Sequence, residues 1–293
     1  MKQKYWFYAL FPVFFWSLGS VVIRLTFGSI TTISFAAFRS FFGAIVLMAI
    51  CAVKKVPPPK IRDLPLILLA GILGFTLYTI CFNTGLKFVT AATANVVMAT
   101  VPLFTAILAL ALFKERVSLL GWLFTLVSFS GVLILMLWNG VLSVNEGVFW
   151  FLAAAILNSA YNVIHRKMTM RYTALQCSAY SLLAGAVSTS PFLPGAFREL
   201  GSATPEAIAV VVYTGILSGG VGYFFWSQAL ALTDRTASVT NLLYLPPFIA
   251  SIIAYFMFRE LPGWGTVIGG AVILIGLWLF QKYATTEKRT ASG

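Results

Sequence analysis

The sequence reads FKER at Phe113–Arg116 and FREL at Phe258–Leu261, and each phrase ends a long apolar run. The two phrases lie 145 residues apart, and a proline stands thirteen residues before each glutamate: Pro102 before Glu115, and Pro247 before Glu260. A short charged phrase that returns at a fixed offset indicates an internal repeat, so the two halves are expected to match elsewhere as well.

The two halves do match on both sides of the phrase. A shift of 145 residues aligns Ala92 with Ala237, Pro102 with Pro247, Ala109 with Ala254, and Gly131 with Gly276. A shift of 142 residues aligns the earlier segments: Ser17 with Ser159, Val21 with Val163, Arg24 with Arg166, and Gly43 with Gly185. The sequence therefore predicts one repeat over residues 1–140 and a second over residues 141–293.

The composition indicates an integral membrane protein. The 293 residues are 60% hydrophobic and only 10% charged, whereas a soluble domain carries about 25% charged residues. Apolar stretches of about 20 residues, the length of a helix that crosses a bilayer, recur along the whole chain. We predict an all-α integral membrane protein without a soluble domain and with ten spans: 5–27, 31–53, 63–83, 89–112, 119–138, 144–167, 174–195, 206–231, 236–258 and 263–283.

The basic residues predict the orientation of these spans. Of the 20 Lys and Arg residues, fifteen fall on one side of the membrane, three fall on the other (Lys87, Arg198 and Arg259), and Arg24 and Arg39 lie within spans. Cytoplasmic segments are enriched in Lys and Arg, so both termini are predicted to be cytoplasmic, with the protein in the inner membrane of the cell. The net charge of +12 then reflects topology, and no nucleic-acid partner is needed to explain it.

Each repeat contains five spans, so the second repeat enters the membrane from the opposite side. The predicted architecture is a five-plus-five inverted repeat, in which Glu115 lies at the cytoplasmic face and Glu260 at the outer face. Inverted repeats give many secondary transporters two alternative gates around one central site. Each glutamate is interpreted as structural: it caps the start of the next helix or pairs with a neighbouring basic side chain.

Several stretches resemble the EamA-type family of the drug/metabolite transporter superfamily. They are FFWSLGSVVIR at Phe14–Arg24, FRSFFGA at Phe38–Ala44, TAATANVVMATVPLFTAILALALFKERVS at Thr90–Ser118 and TASVTNLLYLPPFIASIIAYFMFREL at Thr236–Leu261. The resemblance covers essentially the whole chain. It implies a carrier of small molecules, such as amino acids, other metabolites or cationic drugs, and favours export. It also implies a central cavity lined by spans one to four and six to nine, with spans five and ten at the periphery.

The charged and amide side chains within the apolar runs avoid spans five and ten. Such side chains are costly in lipid and face protein or a water-filled cavity. They are Arg24, Arg39, Asn83, Asn95, Asn158, Asn162, Gln176, Gln228 and Asn241. With the aromatic and hydroxyl residues near them, they give the predicted substrate-binding set: Trp16, Ser20, Arg39, Tyr78, Asn95, Asn158, Asn162, Tyr223, Gln228, Asn241 and Tyr244.

Arg39 lies deep within span two, about 12 Å along the helix axis from the outer end. A guanidinium at this depth suits a carboxylate or a phosphate, because its planar N–H groups match planar oxyanions. The alternative is a structural arginine that bonds to carbonyl or amide groups at helix ends. The sequence leaves both interpretations open.

Two repeat-related groups of side chains are predicted to face the cavity. One is Asn158 and Asn162, a helical turn apart, with their repeat partners Trp16 and Ser20; the other is Tyr78 with its repeat partner Tyr223. Side chains one turn apart share a helix face, and an aromatic pocket with a few amides accepts amphipathic organic molecules. The alternative is that the amides bond between helices and the rings pack the bundle.

The residue types that are missing from the spans narrow the function. No Asp or Glu lies deep in a span, and His165, the only histidine, is expected at a solvated helix end; both features disfavour a proton relay. The sequence contains no metalloprotease, esterase or nucleotide-binding motif. No catalytic residue, metal or cofactor is therefore predicted.

The sequence favours a secondary transporter that moves a small organic metabolite, above all an amino acid or a related compound, across the cytoplasmic membrane. It is expected to work by alternating access, as an exporter, and as a monomer or homodimer. The alternatives within transport are an exchanger of anionic metabolites that uses Arg39 and an exchanger of cationic drugs that uses the aromatic lining. The alternative outside transport is a membrane scaffold or an intramembrane enzyme.

Overall fold

The computed structural model of the protein describes residues 5–88, 94, 97–115, 117–138, 146–258 and 263–284. These residues form helices and short connections, with no strand among them, as the composition predicts. Asn95 and Glu260, which carry predictions from the sequence, lie outside the described residues.

The helices are numbered along the chain. They are α1 (Tyr5–Val22), α2 (Thr32–Val53), α3 (Ile61–Gly85), α4 (Val101–Phe113), α5 (Leu119–Leu137), α6 (Glu146–Met168), α7 (Ala174–Thr189), α8 (Leu193–Ser202), α9 (Pro205–Ala231), α10 (Thr236–Thr240), α11 (Leu245–Phe258) and α12 (Trp264–Leu279). In the described part of the chain, α1, α2, α3, α6 and α9 are long and apolar enough to cross a membrane, and α4, α5 and α12 contain shorter apolar helices. The all-helical fold is confirmed, and the number of spans stays a prediction.

Polar side chains cap the starts of several helices. They bond to backbone N–H groups that would otherwise have no hydrogen-bond partner. Ser118 Oγ accepts from the Gly121 backbone N–H at 3.0 Å and caps α5. Thr173 and Gln176 form a reciprocal capping box at the start of α7, which satisfies two helix-end donors at once. The Gln176 amide nitrogen also donates to the Pro57 carbonyl at 2.9 Å. This polar residue of span seven is therefore engaged in holding the fold.

Glu115 stabilises a helix start in the second half of the chain. Its carboxylate oxygens accept from the Thr236 backbone N–H at 2.9 Å and from the Thr236 hydroxyl at 3.2 Å, at the first residue of α10. A carboxylate at a helix N-terminus satisfies free N–H groups and complements the helix dipole. Glu115 caps a helix, as the sequence predicts, but it was expected to cap the next helix, α5. Ser118 caps α5 instead, and Glu115 caps α10.

The helices of the two halves interleave and do not form separate bundles. α5 packs along α12, α2 packs against α7 and the middle of α9, and α1 packs against the end of α9. α3 and α4 both pack against α6. At one end of the bundle, Asp63 at the start of α3 accepts hydrogen bonds from Tyr172 Oη at 2.5 Å and from Arg171 Nη1 at 3.2 Å. Each half therefore supplies the packing surface of the other.

His165 is fully buried, which corrects the prediction of a solvated helix end. Its exposed fraction is 0%, its ring stacks on Tyr161 with centroids 4.7 Å apart, and its Nδ1 lies 3.0 Å from Ser227 Oγ. Ser227 Oγ in turn lies 2.6 Å from Ser178 Oγ. The prediction fails because α9 and α10 pack against α6. Buried residues of α7 also join Tyr161 and Ile164 in one apolar cluster, which shields this face of α6 from water.

Repeat-related glycines allow α5 and α12 to approach each other closely. A Cβ atom on Gly131 would lie 2.7 Å from the Ile273 backbone N and 2.8 Å from the Gly269 carbonyl O. A Cβ atom on Gly276 would lie 2.7 Å from the Ser128 backbone N. Because backbone atoms lie within 3 Å of the added Cβ at both positions, a side chain at either position forces the helices apart.

We expect Gly276→Ala to lower the unfolding temperature of the purified protein, because overpacking a close helix contact costs about 1–3 kcal/mol. Differential scanning fluorimetry in detergent measures the change. The matched control is Gly195→Ala on α8, where a Cβ atom would meet no heavy atom within 4 Å. An unchanged unfolding temperature for Gly276→Ala would mean that α5 and α12 do not pack at this distance.

Candidate functional site

A central cavity of about 120 Å³ lies where helices from both halves of the chain meet. Its walls come from α1, α2, α3, α6 and α9, together with residues beside the starts of α4 and α11. The structure brings seven of the predicted binding residues to these walls: Trp16, Ser20, Arg39, Tyr78, Asn158, Asn162 and Tyr223. Their role in binding stays a prediction, but their proximity makes one shared site possible.

Three other predicted residues do not line this cavity. Gln228 is half-buried near the end of α9. Asn241 Nδ2 donates to Thr125 Oγ1 at 3.1 Å, and the buried Tyr244 ring lies 6.5 Å from the Phe129 ring. Both of these partners belong to α5, because a 3₁₀ turn carries Asn241 and Tyr244 and turns their side chains away from the cavity.

Repeat-related π-helical segments precede the two cavity tyrosines. α3 is π-helical at Ile72–Leu77, directly before Tyr78, and α9 is π-helical at Thr214–Val221, just before Tyr223. A π-helical segment adds a residue to the turn and often marks a functional site. Each half of the chain therefore directs a tyrosine to the cavity through the same local distortion, which the sequence pattern did not reveal.

The two tyrosines nevertheless have different surroundings. The Tyr223 ring is 3% exposed and packs against Trp16 at 5.0 Å and against Phe75 at 4.5 Å between ring centroids. Tyr78 is half-buried, and its ring lies 5.7 Å from that of Phe82. Tyr223 is thus part of the packed wall, whereas Tyr78 is open to the contents of the cavity.

A chain of hydrogen bonds links three residues of the cavity wall, Trp226, Asn162 and Asn158. The Trp226 indole N–H donates to Asn162 Oδ1 at 2.7 Å, and Asn162 Nδ2 donates to Asn158 Oδ1 at 3.0 Å. An indole nitrogen only donates, so it fixes which end of the Asn162 amide faces it. Trp226 also lines the cavity but was missing from the predicted set, although its position between the predicted residues Tyr223 and Gln228 was a usable signal.

Arg39 on α2 brings a positive charge to the cavity. Its Cζ lies 5.7 Å from the centre of the Tyr223 ring, and its Nε is buried without a hydrogen-bond partner. Among the residues that the structure describes, no carbonyl, amide or carboxylate accepts a hydrogen bond from this guanidinium. The bonds that the structural interpretation of Arg39 requires are therefore not found in this part of the chain.

The described wall of the cavity contains no carboxylate, and it combines apolar and aromatic side chains with hydroxyl and amide groups. The described residues also contain no cluster of three or more His, Cys, Asp or Glu side chains that could hold a metal ion. Such a wall can bind an organic molecule that has an apolar body and a polar or anionic group.

Comparison with known proteins identifies similar sequences and a similar fold. The model of the EamA-like transporter family matches residues 3–137 and again residues 145–281. A solved crystal structure superposes on this chain with a TM-score of 0.78 at 18% sequence identity, covering 97% of this chain and 99% of that one. This second match is a likeness of fold alone.

Two curated relatives carry names that specify a substrate. A probable terminal-alkyne amino-acid exporter of Streptantibioticus cattleyicolor is 29% identical over 277 residues, which cover 94% of this chain and 93% of that protein. An S-adenosylmethionine uptake transporter of Rickettsia prowazekii is 32% identical over 257 residues, which cover 88% of this chain and 84% of that protein. Both relatives are named transporters.

We expect Trp226→Phe to lower the free energy of unfolding by about 1–3 kcal/mol, because the buried Asn162 Oδ1 loses its donor. Chemical unfolding of the purified protein measures the loss, and it should shrink in an Asn162→Ala background, where no acceptor remains. Trp264→Phe, at a ring 73% exposed on α12, is the control. Equal losses in both backgrounds would contradict this hydrogen bond.

Proposed function

Because the chain belongs to the EamA-like transporter family, we propose that it is a secondary transporter that moves a small organic metabolite by alternating access. The observation that carries this proposal is the central cavity, which helices from both halves of the chain enclose. In carriers built from repeats, substrate binds where the repeats meet near the middle of the bilayer. The mixed wall of aromatic rings, amides and a guanidinium suits a small amphipathic molecule.

The proposed substrate is an amino acid or a related compound. The names of the two relatives support it, because a terminal-alkyne amino acid and S-adenosylmethionine both contain an α-amino acid group. These names disagree about direction, since one protein is an exporter and the other an uptake transporter. We propose export, in line with the family resemblance of the sequence.

An exchanger of anionic metabolites is the second candidate, and Arg39 in the cavity wall favours it. Exchange of cationic drugs has less support, because the described wall offers no carboxylate to a cation. The curated relatives are named transporters, which is consistent with a protein that is not an enzyme.

We also propose ten spans in a five-plus-five inverted repeat, with the repeats at residues 1–140 and 141–293. Two structural features support equivalent halves: the close-packing glycines of α5 and α12, and the π-helical segments of α3 and α9. The family model also matches the chain twice. In this topology both termini are cytoplasmic and the protein lies in the inner membrane, as the distribution of Lys and Arg favours.

Purified protein in liposomes is expected to carry radiolabelled propargylglycine, a small terminal-alkyne amino acid, faster than protein-free liposomes and with saturation. S-adenosylmethionine is the second probe. Flux of neither compound above the protein-free rate would contradict the proposed substrate class.

Two variants serve as a matched pair in this flux assay. Tyr78→Ala removes a half-buried ring that lines the cavity, so KM should rise several-fold while the unfolding temperature stays close to that of the wild type. Trp278→Ala removes a ring 58% exposed on α12 and should leave KM unchanged. A change in KM at Trp278 with none at Tyr78 would argue that this cavity is not the transport site.

The inverted topology predicts that the start of α5 and the start of α12 face opposite sides of the membrane. Leu119→Cys introduces a thiol at the start of α5, and Gly263→Cys introduces one directly before α12; both positions are exposed. The background is a variant without the three buried cysteines, Cys51, Cys81 and Cys177. A membrane-impermeant maleimide should label the two positions from opposite sides of intact cells and inverted vesicles. Labelling from the same side would rule out the inverted repeat.

A further inference from the structure

The guanidinium of Arg39 has no anionic partner among the described residues. Two salt bridges in the described part of the chain join Arg62 and Arg171 to Asp63, at the start of α3 and away from the cavity wall. The face of the Tyr223 ring, 5.7 Å away, compensates a cation only in part. A charge inside a membrane protein is costly and normally has a counter-ion, so an anionic group that enters the cavity is stabilised there.

The hydrogen-bonded amides supply a second donor at the same cavity. Because Trp226 can only donate, Asn162 accepts from it and must donate to Asn158. Asn158 therefore uses its oxygen in this chain, and its amide N–H groups remain at the cavity wall. The direction of these two hydrogen bonds therefore leaves the Asn158 amide nitrogen available as a donor at the cavity wall.

We infer that the cavity binds the carboxylate of its substrate, with Arg39 as the charge partner and the Asn158 amide as a further donor. This inference rests on the proposed function and adds the chemical class of the substrate, an organic carboxylate with an apolar body. A planar guanidinium offers paired N–H donors to the two oxygens of a carboxylate. The rings of Trp16 and Tyr78 border the same cavity and can contact the apolar body.

Other classes of ligand match this wall less well. A phosphate monoester carries close to two negative charges at neutral pH, whereas the described wall supplies the charge of Arg39 alone. A cation would share the cavity with a guanidinium and would find no carboxylate on the described wall. A carboxylate balances the single charge and uses both donors.

The test compares the binding of propargylglycine with that of its primary amide. The two compounds have nearly the same size and the same amino group, but only the acid carries a carboxylate. Isothermal titration calorimetry at mildly acidic pH, where both amines are protonated, gives the two dissociation constants. The wild type is expected to prefer the acid by about tenfold or more, the usual effect of a hydrogen bond to a charged group. Arg39→Gln is expected to bind both compounds equally.

Two further variants separate recognition of the carboxylate from stability of the fold. Arg198→Gln removes an exposed arginine on α8 and should keep the preference of the wild type. Asn158→Asp is nearly isosteric, but it replaces the donor by a negative charge and should remove the preference for the acid. Asn158→Asp therefore tests the inference even where Arg39→Gln fails to fold.

Each outcome has a distinct meaning. Equal binding of acid and amide by the wild type would overturn the inference. An acid preference that survives in Arg39→Gln or in Asn158→Asp would also overturn it. The proposed function stands in these cases because both compounds bind. Binding of inorganic phosphate, without binding of the acid, would show that the substrate is not a carboxylate. Binding of none of the three probes would contradict the proposed substrate class itself.

Discussion

Inside a bilayer no water satisfies the backbone N–H and C=O groups, and this requirement governs the whole structure. The chain meets it with helices, and where regular geometry is interrupted the other half of the protein supplies partners. The carbonyl of Ser218, in the π-helical segment of α9, accepts from the Trp16 indole N–H of α1 at 3.0 Å. Thr214 and Ser218 of this segment also line the cavity. The π-helical backbone of α9 therefore lies where another helix covers it and beside the central cavity.

The fold class and much of the cavity were predictable, because both depend on patterns that recur along the sequence. A membrane helix requires only a sustained apolar stretch. Trp16 and Asn158 are related by the repeat, and α1 and α6 bring both of them to the same cavity. The family resemblance pointed to the same fold, and the double match of the family model agrees with it.

The remaining features depend on local geometry that periodicity does not encode. Asn241 and Tyr244 lie in a 3₁₀ turn, so they reach α5 and not the cavity. The basic neighbours of His165 suggested contact with water, yet only its position on the inner face of α6 determines its burial. The sequence indicated that Glu115 caps a helix. The helix that it caps begins at Thr236, far along the chain, and no local pattern predicts that contact.

Glu115 and Thr236 are separated by 121 residues, a distance that matters during synthesis of the protein. Ribosomes add about 5–20 residues per second, so the first half waits in the membrane for roughly 6–24 s before its partner exists. During this interval the Glu115 carboxylate lacks the Thr236 donors, and the surface of α5 around Gly131 lacks α12, which packs there later. The first half of the chain therefore cannot complete its packing until the second half has been made.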